Sequence, residues 1–170
     1  AALERLARGE VLLFDKTGTL TAGQPIVVGI HTPAGVNQRD SLRLAASLDQ
    51  VSPHVLATAI VKAARLQQLD LPLPTDVSEI PGKGIRGTVD GHDVWVGKLG
   101  WLGEGRDESF ARAQRRRADR ESRLSVFVRV DDIIAAVAVL EDPVRPDAAR
   151  AIRSLRSDGF KRLVMVTADR

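Results

Sequence analysis

The 170-residue sequence contains no cysteine, which excludes disulfide bonds, zinc sites built from thiolates and catalysis by a thiol. It also lacks long apolar runs. The longest one, at residues 133–140, has eight residues, whereas a membrane-spanning helix needs about 20. The opening Ala-Ala-Leu-Glu-Arg has no apolar core of the kind found in signal peptides. We therefore expect a soluble globular protein that suits a reducing compartment.

Positive charge is present but confined to one segment. The net charge is +3, while hydrophobic residues make up 44% of the chain, enough to bury a core. The excess charge lies at residues 112–123, which hold the arginines Arg112, Arg115, Arg116, Arg117, Arg120 and Arg123. This stretch has no aromatic residue to stack on bases, so we expect no nucleic-acid partner. A solvated helix is the main interpretation, and a docking site for an acidic partner or lipid headgroups is the alternative.

The two ends of the chain have the pattern of an α/β domain. A short apolar run at 11–14 predicts a strand that leads into Asp15. Residues 147–158 predict a helix that ends at Gly159, and residues 163–166 predict a final strand. The predicted helix has an inward face with four members: Ala148, Ala151, Ile152 and Leu155.

The middle of the chain predicts an antiparallel sheet with helices. Strands are expected at 26–31, 77–80, 85–89, 94–96, 124–130 and 133–140, with Asp90 and Gly91 forming a hairpin turn. Helix caps are expected at Asp40 or Ser41 and at Ser52, with Pro53 in the first helical position. A polar helix at 107–123 carries its thin apolar face on Phe110, Ala113 and Ala118.

These patterns predict an α+β chain in which one domain is inserted into another. The insert, at 25–140, is a six-stranded antiparallel sheet with flanking helices. Residues 1–24 and 141–170 form the two parts of a partial α/β domain.

The motif Asp-Lys-Thr-Gly-Thr-Leu-Thr at 15–21 carries the strongest chemical signal. A carboxylate at the end of a buried strand lies where α/β sheets bind ligands. Asp15 can attack phosphorus or ligate Mg²⁺, and the amides and hydroxyls of Thr17 and Thr19 can surround a phosphoryl group. The alternative is an ordinary turn with a solvated aspartate.

This motif resembles the phosphorylation signature of the P-type ATPases, ion pumps of the haloacid-dehalogenase-like superfamily. The resemblance implies that Asp15 accepts the γ-phosphoryl group of ATP beside Lys16, and that Asp15 and the carbonyl of Thr17 hold Mg²⁺. Phosphatases of the superfamily carry a second aspartate at the position of Thr17. Its absence speaks against the alternative of a soluble phosphohydrolase.

The C-terminal part continues this resemblance. Residues 167–169, Thr-Ala-Asp, resemble the family's Thr-Gly-Asp, which implies that Thr167 contacts the phosphate. Residues 142–145, Asp-Pro-Val-Arg, resemble the Asp-x-x-Arg that follows the inserted nucleotide-binding domain. For Asp142 alone, a helix-capping carboxylate is the alternative.

The insert resembles the nucleotide-binding domain of the heavy-metal-transporting branch. Residues 52–57, Ser-Pro-His-Val-Leu-Ala, match its Ser-Glu-His-Pro-Leu-Ala at the histidine, and Asp49 matches an acidic residue five positions earlier. The resemblance implies that His54 stacks on adenine and that Asp49 accepts a hydrogen bond from the adenine amino group. The alternative for His54 is a structural histidine.

Two glycine motifs extend the predicted nucleotide site. Gly82 and Gly84 match the branch's Gly-x-Gly, which implies close approach of the backbone to ribose and phosphate. Gly97 and Lys98 stand where the branch has Gly-Asn, so Lys98 is expected to meet the phosphates. A strand-connecting turn and an exposed lysine are the alternatives.

The resemblance further implies a fragment of a larger pump. Its expected ligands are ATP and Mg²⁺, and its expected partners are the membrane and actuator domains of the parent. The parent is expected in a bacterial cell membrane, with this soluble, monomeric part on the cytoplasmic face. The fragment alone is expected to bind ATP without steady turnover.

Overall fold

The computed structural model describes residues 10–103 and 107–166. The chain divides into two compact units. One unit comprises residues up to 24 and from 142 onward, and the other comprises Pro25–Glu141. Among the described residues, no helix has the length and apolar character needed to cross a membrane.

The described elements are eight strands and four helices, together with a short 3-10 helix. The strands are β1 (Val11–Asp15), β2 (Ile26–His31), β3 (Thr75–Ile80), β4 (Gly84–Val89), β5 (His92–Gly97), β6 (Leu124–Val130), β7 (Ile133–Glu141) and β8 (Arg162–Val166). The helices are α1 (Gln38–Asp49), α2 (Val55–Leu66), α3 (Glu108–Arg120) and α4 (Ala148–Ser157), and the 3-10 helix is Leu99–Trp101.

The first unit contains a parallel strand pair. β1 runs alongside β8, with Val11 opposite Arg162 and Asp15 opposite Val166. Helix α4 precedes β8 and ends before Gly159, whose φ of 101° suits glycine. A parallel pair whose crossover contains a helix is the α/β arrangement that the sequence predicts for these ends.

The second unit is built on a six-stranded antiparallel sheet, in the order β2-β7-β6-β5-β4-β3. This sheet and its flanking helices confirm the α+β fold class. The turn between β4 and β5 uses positive φ at Asp90 and Gly91, 50° and 82°. Such a turn matches the twist of the strands, so the predicted hairpin is confirmed.

Side chains on the two faces of this sheet form two separate apolar clusters. The larger one, on the face that we call the front, joins the sheet to α1 and α2. Its members include Leu42, Leu48, Ile60, Ile85, Val94 and Val126. On the back face, Phe127, Ile134 and Val137 pack with Leu99, Leu102 and Ala111. Each large buried side chain contributes about 1.5–3 kcal/mol to stability.

Helix boundaries differ from several sequence predictions. Helix α1 begins at Gln38 because the side chain of Asn37 accepts hydrogen bonds from the N–H groups of Arg39 and Asp40, at 2.9 and 3.2 Å. Asn37 therefore satisfies two amides that would otherwise be unpaired. The predicted cap at Asp40 or Ser41 is wrong.

The inward faces of α3 and α4 are also narrower than predicted. In α3, Ala111 and Ala118 are buried, whereas Ala113 is exposed. In α4, Ala148 is buried and Ala151 is exposed.

Candidate functional site

Asp15 ends β1 with an exposed side chain. Its carboxylate accepts a hydrogen bond of 2.9 Å from the backbone N–H of Lys16. Since Asp15 lies opposite Val166 in the parallel pair, it lies at the edge where α/β sheets bind ligands. Thr167, the predicted phosphate contact, follows Val166 and lies outside the described residues.

The residues after Asp15 form one wide turn, Lys16–Leu20, which Thr21 closes. The hydroxyl of Thr21 accepts a hydrogen bond of 3.0 Å from the N–H of Gly18. Its backbone N–H donates to the carbonyl of Lys16 at 3.1 Å. Gly18 has a φ of 74°, which glycine adopts without the cost that a side chain adds. The turn that follows Asp15 is thus fixed by a buried residue, since Thr21 is 4% exposed.

Asp142, in the segment that follows the second unit, contacts the turn after Asp15. Its Oδ2 accepts a hydrogen bond of 2.5 Å from the Thr21 hydroxyl. The residue before α4 is Asp147, which makes no side-chain capping bond, so the helix-cap alternative for Asp142 is wrong. The anchoring role of Thr21 was missed from the sequence, because only the pairing with Asp142 reveals it.

The turn offers oxygen and nitrogen groups to a ligand. Thr17, Gly18 and Thr19 are exposed and Lys16 is half-buried. The Asp15 carboxylate and the Thr17 carbonyl are oxygen donors of the type that Mg²⁺ prefers. Within residues 10–103 and 107–166, no cluster of three His, Asp or Glu side chains is suited to hold a metal by itself.

Asp49 lies in the second unit, at the end of α1, and is 3% exposed. Its Oδ2 has no hydrogen-bond partner among the described residues. Burial, with a smaller contribution from the negative charge of Glu79, raises the pKa of this carboxyl to about 8. The group is therefore mostly protonated at neutral pH.

His54 is exposed and caps α2 with its own ring. Its Nδ1 accepts a hydrogen bond of 3.2 Å from the N–H of Leu56. The predicted cap at Ser52 and helical start at Pro53 are therefore wrong. An accepting Nδ1 carries no proton, so the hydrogen is assigned to Nε2 and the ring is neutral. A neutral, exposed ring is suited to stack on a flat base.

Ser52 instead joins the loop before α2 to strand β3. Its hydroxyl donates a hydrogen bond of 2.8 Å to Oε1 of Glu79 and accepts one of 3.2 Å from the N–H of His54. Glu79 was missed from the sequence because a single glutamate in an exposed strand carries no local signal of a site. The fold places its carboxylate beside the segment that holds His54.

The three glycines predicted for the nucleotide site, Gly82, Gly84 and Gly97, differ in what surrounds them. Gly84 lies opposite Gly97 in the β4–β5 pair. A Cβ on Gly97 would lie 2.4 Å from the carbonyl oxygen of Lys83, and one on Gly84 would lie 2.3 Å from that of Val96. The two glycines therefore let their own strands approach closely. Gly82 has a φ of 76°, and a Cβ added to it would have no neighbouring atom within 4 Å, so the space around it is open.

The strand register gathers these residues at one end of the sheet. Gly84 is opposite both Ile80 and Gly97, and Gly82 lies in the turn between β3 and β4. The N–H of Lys98 donates to the carbonyl of Lys83 at 2.9 Å. The loop of His54 joins this end through Glu79, the residue before Ile80. Asp49 is the buried member of the set predicted to bind the nucleotide.

Most arginines of the 112–123 segment are neutralised by nearby carboxylates. The ion pairs are Arg112 with Glu108 (2.7 Å), Arg115 with Asp119 (3.8 Å), Arg117 with Glu121 (3.3 Å) and Arg123 with both Glu121 and Glu141. This pairing fits a solvated helix better than a basic docking surface.

Comparison with known proteins identifies relatives along the whole chain. A family model described as haloacid dehalogenase-like hydrolase matches residues 10–170. The zinc/cadmium/lead-transporting P-type ATPase of Shigella sonnei (strain Ss046) is 36% identical over 165 residues, which cover 97% of this chain and 22% of that protein. The chain thus spans about a fifth of the length of this curated relative.

Solved structures give the same result. A zinc-transporting PIB-type ATPase in the E2.Pi state matches with a TM-score of 0.74 and 34% identity, covering 98% of this chain and 26% of that one. The catalytic CPx-ATPase domain CopB-B matches with a TM-score of 0.72 and 27% identity, and the match covers 99% of this chain and 56% of that one. These matches confirm the resemblance to heavy-metal P-type ATPases that the motifs indicate.

Proposed function

Because the chain belongs to the haloacid dehalogenase-like hydrolase family, we propose that it is the ATP-binding and phosphorylation-site part of a cation-transporting P-type ATPase of the heavy-metal type. The observation that carries the proposal is the exposed carboxylate of Asp15, followed by a turn that Thr21 and Asp142 hold in place. The similarity to zinc-, cadmium- and lead-transporting relatives supports the heavy-metal type.

Asp15 acts as the nucleophile in this proposal. An oxygen of its carboxylate forms a bond to the γ-phosphorus of ATP while the bond from that phosphorus to the bridging oxygen breaks. ADP leaves with the electron pair, and an aspartyl phosphate remains. Lys16, Thr17 and Thr167 contribute positive charge and hydrogen bonds to the phosphoryl oxygens.

Thr17 makes the phosphorylated state long-lived. A carboxylate at that position would act as a general base and activate water against the acyl phosphate. A threonine hydroxyl does not act as such a base near neutral pH. Slow hydrolysis suits a pump, which uses the phosphorylated intermediate, and does not suit a phosphatase.

The second unit binds the nucleotide in this proposal. His54 stacks on adenine, Asp49 belongs to the base pocket, and the open turn at Gly82 admits the ribose and phosphates. Gly84 and Gly97 shape the adjoining strands, and Lys98 adds a positive charge for the phosphate groups. Asp15 and the Thr17 carbonyl would hold Mg²⁺, which when bound neutralises charge on the phosphate oxygens.

The parent protein is proposed to lie in a bacterial cell membrane, with this part on the cytoplasmic face. Its partners there are the membrane and actuator domains of the same chain. The 170-residue part is proposed to be monomeric. By itself it should bind ATP with a dissociation constant on the order of 0.1–1 mM and show no steady turnover.

The test is phosphorylation of the full-length parent. We expect incubation with γ-labelled ATP, Mg²⁺ and a transported cation to give an acid-stable, hydroxylamine-labile label. Asp15→Asn should abolish the label, while the exposed Asp132→Asn should retain it. A label that persists in Asp15→Asn contradicts the proposal. Rapid hydrolysis of a generic phosphate ester favours a phosphohydrolase instead.

A further inference from the structure

An aromatic ring supports the turn between β3 and β4 from the back face of the sheet. Trp101, the last residue of the 3-10 helix, lies against Gly84, so that a Cβ added to Gly84 would lie 2.7 Å from Cζ3 of its indole ring. The ring centroid of Trp101 is 4.9 Å from that of Trp95, and both rings pack against the back-face apolar cluster. Gly84 therefore leaves room for an indole as well as for the neighbouring strand.

The ring of Trp95 is held in place by charged neighbours. The guanidinium carbon of Arg129 lies 4.9 Å from the ring centroid, and that of Arg86 lies 5.2 Å from it. Both distances are within the range of a cation–π interaction. The indole N–H of Trp95 donates a hydrogen bond of 2.8 Å to Oδ2 of Asp93. Trp95 thus gives Trp101 a fixed surface to pack on.

The backbone around Trp101 is bonded to the strands on both sides. The carbonyl of Lys98 accepts a hydrogen bond of 2.9 Å from the Trp101 N–H, and the Lys98 N–H donates one of 2.9 Å to the carbonyl of Lys83. Beyond Trp101, the carbonyl of the buried Leu102 accepts a hydrogen bond of 2.6 Å from Nη1 of Arg129. The backbones of Lys83 and Lys98 therefore depend on the position of the 3-10 helix.

We propose that Trp101 is a positioning residue for the phosphate end of the ATP site. It acts through Gly84 and Lys98, and so holds the turn that contains Gly82 and the lysine assigned to the phosphates. This inference rests on the proposed function, because it concerns the same nucleotide site. The base is assigned to His54 in a different loop, so loss of Trp101 should weaken phosphate binding and spare base binding.

ATP and AMP test this assignment, because they differ only in the β- and γ-phosphates. Titration of the 170-residue chain with each nucleotide in Mg²⁺-free buffer, followed by NMR chemical shifts of the backbone amides, gives the ratio of the two affinities. The wild type should prefer ATP by roughly tenfold, the scale of one hydrogen bond to a charged group. Trp101→Leu should reduce this preference to about threefold or less and change the AMP affinity by less than about twofold.

The conservative variant should restore the preference. Trp101→Phe keeps an aromatic ring that can lie against Gly84, and we expect it to retain most of the wild-type ratio. A purely structural role would lower both affinities together, because an unfolded fraction binds neither nucleotide. If urea unfolding shows that Trp101→Leu does not fold, Trp101→Met carries the same expectation, since its longer side chain fills more of the space.

Phe110→Leu is the matched control. It shortens another ring that packs against the same back-face cluster, but from α3. We expect it to lower the free energy of unfolding and to leave the ratio of the ATP and AMP affinities unchanged. Urea unfolding of every variant shows that the titrated protein is folded.

Four results overturn the inference. The first is an unchanged ratio in Trp101→Leu. The second is a reduced ratio in Phe110→Leu as well, and the third is a Trp101→Phe variant that behaves like Trp101→Leu. The fourth is a wild type that binds ATP and AMP equally, which leaves the proposed function intact. A wild type that binds neither nucleotide at millimolar concentration overturns the proposed function itself, and the inference with it.

Discussion

The hydroxyl of Thr21 donates a hydrogen bond of 2.5 Å to Asp142, a residue 121 positions later in the chain. The same hydroxyl accepts from the N–H of Gly18, so it links the turn after Asp15 to the segment that follows the second unit. The conformation of the proposed phosphorylation loop therefore depends on the pairing of the two segments that flank the second unit.

Replacing Thr21 should loosen this loop. Thr21→Val keeps the volume but leaves the Gly18 N–H and the Asp142 carboxylate without a partner, at a cost of about 1–3 kcal/mol. Amide hydrogen exchange at Gly18 should accelerate accordingly. The exposed Thr19→Val is the control and should leave the exchange rate at Gly18 nearly unchanged. Equal protection of Gly18 in Thr21→Val and the wild type would show that the hydroxyl does not hold the turn.

Gly97 should tolerate no side chain. A Cβ there would lie 2.4 Å from the Lys83 carbonyl oxygen and 2.8 Å from the Gly84 Cα. The β4–β5 pair must then shift, so Gly97→Ala should lower the free energy of unfolding by about 1–3 kcal/mol or more. Urea unfolding followed by tryptophan fluorescence measures this, because both tryptophans, Trp95 and Trp101, lie in this unit.

Gly100→Ala is the matched control, because a Cβ at Gly100 has no atom within 4 Å and its φ is not in the left-handed region. It should change the unfolding free energy by less than about 0.5 kcal/mol. If Gly97→Ala and Gly100→Ala proved equally stable, the close approach of the two strands would not be a constraint.

The stability of the second unit should fall as pH rises, owing to Asp49. Its pKa is about 8 in the folded chain and about 3.9 in an unfolded one. Between those values the folded state holds a proton that the unfolded state lacks. The contribution of Asp49 is therefore complete below about pH 4 and falls by up to about 1.4 kcal/mol per pH unit, until it is lost near pH 8.

Asp49→Asn removes this titration. The unfolding free energy of the variant, relative to the wild type, should therefore increase between pH 5 and pH 8. Urea unfolding at several pH values gives this difference directly, since all other titrating groups are shared. A difference that stays constant with pH would mean that Asp49 titrates alike in the folded and unfolded chains.

His54 caps α2 and is proposed to stack on adenine, and substitutions can separate these two roles. His54→Asn keeps a side-chain acceptor for the Leu56 N–H but removes the ring. It should weaken ATP binding by about 1–3 kcal/mol with little change in stability. His54→Phe keeps a ring but loses the cap, and should cost about 1 kcal/mol of stability while retaining most of the affinity. Calorimetric titration and urea unfolding measure the two effects. If ATP affinity falls in His54→Phe and is retained in His54→Asn, the ring of His54 does not stack on adenine.

The sequence predicted most elements because their signals are local. Alternating apolar residues locate β4 and β6, an uninterrupted apolar run locates β7, and Asp90 with Gly91 marks a hairpin that the structure contains. The capping predictions failed at Ser52 and Asp40 because several polar side chains near a helix start are suitable caps. The choice depends on which acceptor reaches the free amides, and here Asn37 and His54 reach them.

The part of the candidate site that lies in one continuous motif could be predicted from the sequence. The part that is assembled from distant segments could not. Asp15 and its turn follow from seven consecutive residues. Glu79 and Ser52 are 27 positions apart, and their pairing depends on β3 lying beside the loop before α2. The resemblance implied ligand contacts for Gly84 and Gly97, and the strand register adds that the two glycines lie opposite each other.

The sequence by itself determined the strand and helix order, the insertion of one unit into another and the position of Asp15 at the end of β1. These properties depend on hydrophobic periodicity and short motifs, which act over a few residues. Only the tertiary structure decided that Thr21 bonds to Asp142, that Asp49 is buried with a raised pKa, and that Glu79 bonds to Ser52. Such relationships require distant segments to meet, and burial then sets the protonation state and the accessibility of each group.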